Sequence, residues 1–174
     1  MKATETRLAD RILDQLESEA PRTLRVLESF PEGRDDWKPH EKSMPLGRLA
    51  NLVATMPSWV GFIVDLDELD VAPPAGQSTQ PPPALTRADL VAAHEKAMAG
   101  AREALRKASD DHLAKSWKLL AGGKVVAEDP RHVVLRDTLM HLSHHRGQLT
   151  VYLRLNNATV PSVYGPTADD PRFA

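Results

Sequence analysis

The first apolar stripe runs Leu8, Ile12, Leu16, Leu24 and Leu27, one face of a 3.6-residue period with charged side chains opposite. It predicts an amphipathic helix from Leu8 to about Phe30, kinked at Pro21 and ended by Pro31, Glu32 and Gly33. Beyond Pro39 the pattern returns through Leu46, Leu49, Ala50, Val53, Met56, Val60 and Ile63, with Ser43 as cap and Pro45 early in the helix. An internal proline costs on the order of 3 kcal/mol, so at Pro57 either tertiary packing supports a bend or the helix divides. The spacing is read as one kinked helix ending near Leu69. Residues 73–83, rich in proline, suit neither helix nor central strand and form a crossover.

Thr86 with Asp89 three residues later resembles a capping arrangement, and Leu90, Val91, Ala97, Ala101 and Leu105 carry a third helix. From Trp117 to Val126 the texture changes to a small hairpin turning on Gly122 and Gly123. Asp129 and Pro130 then look like the cap and first turn of a fourth helix, running to about Asn156. Each helix shows one apolar stripe that needs a partner. The fold expected is all-α: a single domain over residues 1–174, built as a four-helix bundle with a small β-hairpin between helices 3 and 4.

Composition narrows the function. The 174 residues carry 22 basic and 24 acidic side chains, and a net charge of −2 supplies no general attraction to phosphate backbones, so no nucleic-acid partner is expected. No cysteine is present, which excludes a disulfide framework, a thiolate zinc site and a protein thiol nucleophile. The charged stretch from Met1 to Asp10 lacks a signal-peptide core, and no apolar run is long enough to span a bilayer. A cytoplasmic protein acting on a small molecule, away from membranes, is the expectation.

The candidate chemistry lies in His141-Leu-Ser-His144-His145-Arg146-Gly147-Gln148. On a helix, His141 and His145 stand one turn apart, roughly 5–6 Å between Cβ atoms, so both imidazoles can reach one divalent ion. Thr138, Gln148 and Tyr152 continue that face as a polar strip in a leucine-rich helix, read as facing the interior. Ordinary hydrogen bonding to neighbours is the competing role for both histidines, because a stable catalytic site usually needs three protein ligands. His144 is rotated away toward solvent or a partner. Arg146 reads as a surface ion-pair residue, and Gly147 as a point of close helix contact.

The runs Trp37-Lys-Pro-His40-Glu-Lys-Ser43, Leu49-Ala50, Pro57-Ser-Trp59, His141 to Gln148, Tyr152-Leu-Arg154 and Pro161-Ser-Val-Tyr164-Gly-Pro166 resemble the DinB/YfiT-like metalloenzyme superfamily over nearly the whole chain. The resemblance implies an up-down-down-up four-helix bundle, often a homodimer. It also implies a divalent metal held by one histidine of the second helix and a His-x-x-x-His pair of the fourth. His141 and His145 match the pair. The second-helix histidine normally follows Leu-Ala-x, and here Leu49-Ala50-Asn51 is followed by Leu52, which has no lone pair to offer.

Three outcomes stay open: a lost site, a substitute third ligand, or weak binding of zinc or nickel by two histidines and water. The substitute considered is His94, on the stripe Leu90, Ala97, Ala101 and at a depth similar to Leu52; a core-edge histidine is its competing role. His40 precedes its helix, roughly 15 Å from the level of Leu52, too far without a folded-back loop. Some relatives use the metal to bind a low-molecular-weight thiol as thiolate, so the resemblance implies a metal-dependent transferase or hydrolase, with any thiol diffusible. The alternative is a non-catalytic, metal-free bundle that binds a small ligand or protein partner.

Overall fold

The computed structural model describes residues 6–73 and 86–172. It is mostly helical, with a small three-stranded sheet. The first helix, α1 (Leu8–Glu28), buries Ala9, Leu16, Ala20, Val26 and Leu27 and runs on through Pro21, which sits on an exposed face.

The second predicted helix is corrected by the structure. It divides into α2 (Leu46–Thr55) and α3 (Ser58–Asp65), and Glu68–Asp70 is a strand, β1. The break follows from Pro57, which has no N–H to continue the ladder. At the break Trp59 N–H bonds to the Met56 carbonyl, while the Ala54 carbonyl receives Nδ1 of His94 at 3.2 Å. The end of α3 is closed by a buried arginine. Arg131 donates Nε to Ile63 O at 2.9 Å and Nη2 to Leu66 O at 3.0 Å, satisfying carbonyls that a helix end leaves open. Leu66 then turns to extended backbone and leads into β1.

The crossover expected over residues 73–83 lies, beyond Pro73, outside the described residues. Helix α4 (Arg87–Lys107) begins as predicted: the Thr86 hydroxyl accepts the Asp89 N–H at 3.1 Å. A short α5 (Asp110–Leu113), capped by Ser109, was not expected. The hairpin is longer than predicted, β2 (Ser116–Ala121) against β3 (Lys124–Pro130) in antiparallel register, with β1 parallel to β2 at the other edge. Gly122 and Gly123 take φ of 61° and 76°, the two positive values of a hairpin turn that side-chain-bearing residues resist. Asp129 and Pro130, expected as cap and first turn of a helix, close β3, and Pro130 is also the N-cap of the helix that follows. The last helix, α6 (Arg131–Leu155), starts directly after them.

One shared core was expected, yet the apolar side chains gather in two clusters. The first joins Leu16, Val60, Ile63, Met98, Leu105 and Trp117; the second joins Val26, Leu27, Leu49, Val53, Leu90, Leu149 and Leu153, and Trp59 packs against both. Where the clusters meet along α1 and α4, buried polar residues are set among the apolar ones: Glu19 and Thr23 on α1, His94 on α4. Among the described residues no helix is long and apolar enough to cross a membrane.

Candidate functional site

The interior face of α6 is set by Leu135, Leu142, Leu149 and Leu153, and Thr138 and Arg146 share it. His141, at the expected one-turn spacing from His145, is thereby carried to the side of the helix. The histidine pair was read as interior-facing; His141 is exposed and His145 half-buried. The two side chains do meet, with Nε2 atoms 2.8 Å apart and ring centroids 4.5 Å apart.

Their hydrogen bonds fix a direction. Gln148 Oε1, an acceptor, lies 2.8 Å from His145 Nδ1, so that nitrogen carries the proton. The lone pair on His145 Nε2 then accepts from His141 Nε2–H. Partial burial holds the His141 imidazole below its usual range, and the neighbouring His145 and His144 further disfavour a charge on it. The strip continues to Tyr152, whose hydroxyl donates to Met44 O at 3.3 Å and whose ring meets Trp37 edge-on at 5.5 Å. Leu52 packs half-buried against the same cluster as Trp37, Met44 and Tyr152.

The three-ligand metal set does not fit these residues. His141 and His145 supply two nitrogens, Leu52 supplies none, and the described residues contain no group of three or more His, Cys, Asp or Glu side chains able to hold an ion. His94 stands on a different helix, α4. It is fully buried with Nδ1 on the Ala54 carbonyl, and its Nε2 has no hydrogen-bond partner among the described residues. Burial holds its imidazole below the usual range, so it is neutral at pH 7. His94 braces the α2/α3 break.

A second cluster was missed in the sequence. Arg146, expected at the surface, is 1% exposed and forms an ion pair with Glu19, itself 3% exposed. Arg146 Nη1 also donates to Thr23 Oγ1 at 3.0 Å and to the Glu19 carbonyl at 3.2 Å. The other carboxylate oxygen of Glu19 takes Arg22 Nη1 and Gln15 Nε2, each at 3.0 Å. Tyr164 closes the cluster from the C-terminal segment: its hydroxyl donates to Glu19 at 2.9 Å and accepts from Arg146. Ser143 Oγ, 3.0 Å away, is left to donate to the same oxygen. The guanidinium carbons of Arg22 and Arg146 lie 5.1 and 5.2 Å from the tyrosine ring centre. Burial pushes the Glu19 carboxyl up, but hydrogen bonds from Arg146 and Tyr164 and the charges of Arg146 and Arg22 outweigh it and hold the group below its ordinary value. Gly147, expected at a close helix contact, faces outward, and a Cβ there would meet no described atom of the chain within 4 Å.

These features define a mostly helical protein with a His-x-x-x-His pair on its last helix and a C-terminal segment folded back over it. The sequence profile of the DinB family matches residues 1–172, and the chain belongs to that family. YrdA of Bacillus subtilis, described as an uncharacterized protein, is 28% identical over 162 residues, covering 92% of this chain and 90% of its own. Two crystal structures share the fold. A DinB-like protein from Bacillus cereus aligns with a TM-score of 0.68 at 22% identity, over 88% of this chain and 95% of that one. A DinB-like protein from Bacillus subtilis aligns with a TM-score of 0.62 at 19% identity, over 86% and 93%.

Proposed function

We propose that this chain is a DinB-family binding protein with a degenerate metal site, working in the cytoplasm without a resident metal and recognising a small molecule or a protein partner. The observation that supports this reading is local. Leu52 stands at the family's second-helix ligand position, and the two remaining histidines spend their facing nitrogens on each other. In this reading α2 and α3 together serve as the second member of an up-down-down-up four-helix bundle, residues 1–174 form a single domain, and the protein is a homodimer.

A second reading is favoured by the same pair. Two nitrogens one turn apart can hold zinc or nickel weakly, with water completing the shell, and a diffusible thiol or a water would then serve a metal-dependent transferase or hydrolase. Metal analysis of protein purified without an affinity tag, followed by zinc and nickel titration calorimetry, separates the two. The binding-protein reading expects substoichiometric metal and weak binding that tightens in Leu52→His. One tightly held ion per native chain would overturn it. Loss of that binding in His94→Ala would then make His94 the third ligand.

A further inference from the structure

We infer that residues 158–172 form a flap over the seam between α1 and α6, which opens as one unit ahead of global unfolding and is bolted by Tyr164. The segment is closed on itself. Val160 N–H bonds to Asp169 Oδ2 at 2.8 Å and Thr167 Oγ1 to Val160 O at 2.7 Å, so its two ends meet. Ser162 N–H bonds to Asp170 Oδ2 at 3.1 Å, and Thr167 N–H to Asp170 O at 2.8 Å. Bonds that all lie within one short segment make it a cooperative unit, which loses them together when it comes away from the helices.

Its polar ties to the helices are few and unequal. Arg25 holds the Ser162 carbonyl at 3.1–3.2 Å, and the Arg154 pair with Asp169 lies near the surface. The Tyr164 hydroxyl alone meets three groups of α1 and α6: Glu19, Ser143 and Arg146. Beneath the flap, Val160 joins Val26, Leu27, Leu149 and Leu153, with Ala158 and Val163 packed alongside. Opening therefore strips the cover from an apolar floor and from the outer side of a buried ion pair, while the helices keep their own contacts. Tyr164, 58% exposed, sits where solvent can compete for the bolt. Opening of this kind draws on the least stable part of a fold.

Hydrogen exchange on the full chain tests the inference. In the native protein the amides of Val160, Ser162 and Thr167 are expected to share one protection factor, at least tenfold below those of Leu149 and Leu153, and to respond little to low urea. Tyr164→Phe removes the hydroxyl and keeps the ring; it is expected to lower the shared factor by about tenfold, as for a hydrogen bond to charged groups, with helix amides moving less than threefold. Arg154→Ala, which breaks a surface pair, is expected to change it less than threefold. Native flap amides that track the helix amides in protection and urea slope would overturn the separate opening. An Arg154→Ala effect equal to that of Tyr164→Phe, or equal losses in flap and helices in Tyr164→Phe, would overturn the bolt.

Discussion

Replacing Arg146 by methionine puts the buried ion pair to a quantitative test. Methionine keeps the unbranched stem to about the position of Nε and removes the charged guanidinium with its hydrogen bonds, so the change reads the loss of the pair. Glu19 is 3% exposed, and loss of one partner leaves its carboxylate, among the described residues, with Arg22, Gln15 and Tyr164. Breaking a buried pair costs about 3–5 kcal/mol, and the surviving partners place this case near the lower figure. For a chain of this size about 3 kcal/mol lowers Tm by about 6–12 °C. The double replacement Glu19→Leu with Arg146→Met removes both charges and is expected to recover at least half of the loss, because no uncompensated ion remains.

The pH dependence carries a sign. In the native chain Glu19 is held below its ordinary value of 4.5, so its contribution is complete above that pH and fades as pH falls through the lower folded value. In Arg146→Met the largest favourable partner is gone and burial pushes the carboxyl up, so the penalty is relieved on acidification. Urea unfolding followed by tryptophan fluorescence at pH 7 and near pH 4 should show the gap between the two proteins narrowing in acid. A single-variant loss below about 1 kcal/mol, a gap that widens in acid, or additive losses in the double variant would show that Glu19 and Arg146 do not act as a coupled buried pair.

Three further outcomes follow from the same contacts. His94 is held neutral by burial, so native stability is full above about pH 6.5 and falls as pH drops below it; His94→Leu should be less stable at pH 7 by about 1–3 kcal/mol and should show a flatter pH profile between 6.5 and 5 by calorimetry. Thr86→Ala removes the hydroxyl that accepts the Asp89 N–H and should cost about 1 kcal/mol in urea unfolding, a change that extra protein–protein contacts elsewhere would not mimic. Leu52→His should bind zinc at least tenfold more tightly than the native chain in titration calorimetry, and a chelator should return its Tm to the metal-free value.

Much of the helical frame was legible because the apolar spacing is local. The Thr86 and Asp89 cap, the Gly122-Gly123 turn and the one-turn approach of His141 to His145 each involve residues within a few positions of one another. What was hidden depends on distant pairing. The three residues of β1 become a strand only against β2, where Leu69 faces Leu119. The misreading of α6 has the same origin. Leu135, Leu142, Leu149 and Leu153 already marked the inner face, and Arg146 falls among them, but its partner Glu19 is 127 residues away. A usable signal was present: Glu19 also lies on an apolar stripe, between Leu16 and Thr23, so two opposite charges occupied inner faces of two helices. The role of His94 depended on knowing that α2 breaks, since its acceptor is the carbonyl beside that break.

The ion pair between α1 and α6 also bears on how the chain finds its alignment. Leucines repeat along α6, so a helix displaced lengthwise by one turn, about 5.4 Å, would still offer apolar side chains to its neighbours. Glu19 and Arg146 would not survive that slip: each would be left in the interior without its counterion, and Tyr164 would no longer reach both. The penalty falls on the shifted arrangement and spares the native one. A pair that adds little net stability compared with well-packed apolar residues thus distinguishes between packings that greasy contacts alone would leave nearly degenerate, and it works as a vernier for the assembly of two helices far apart in the chain.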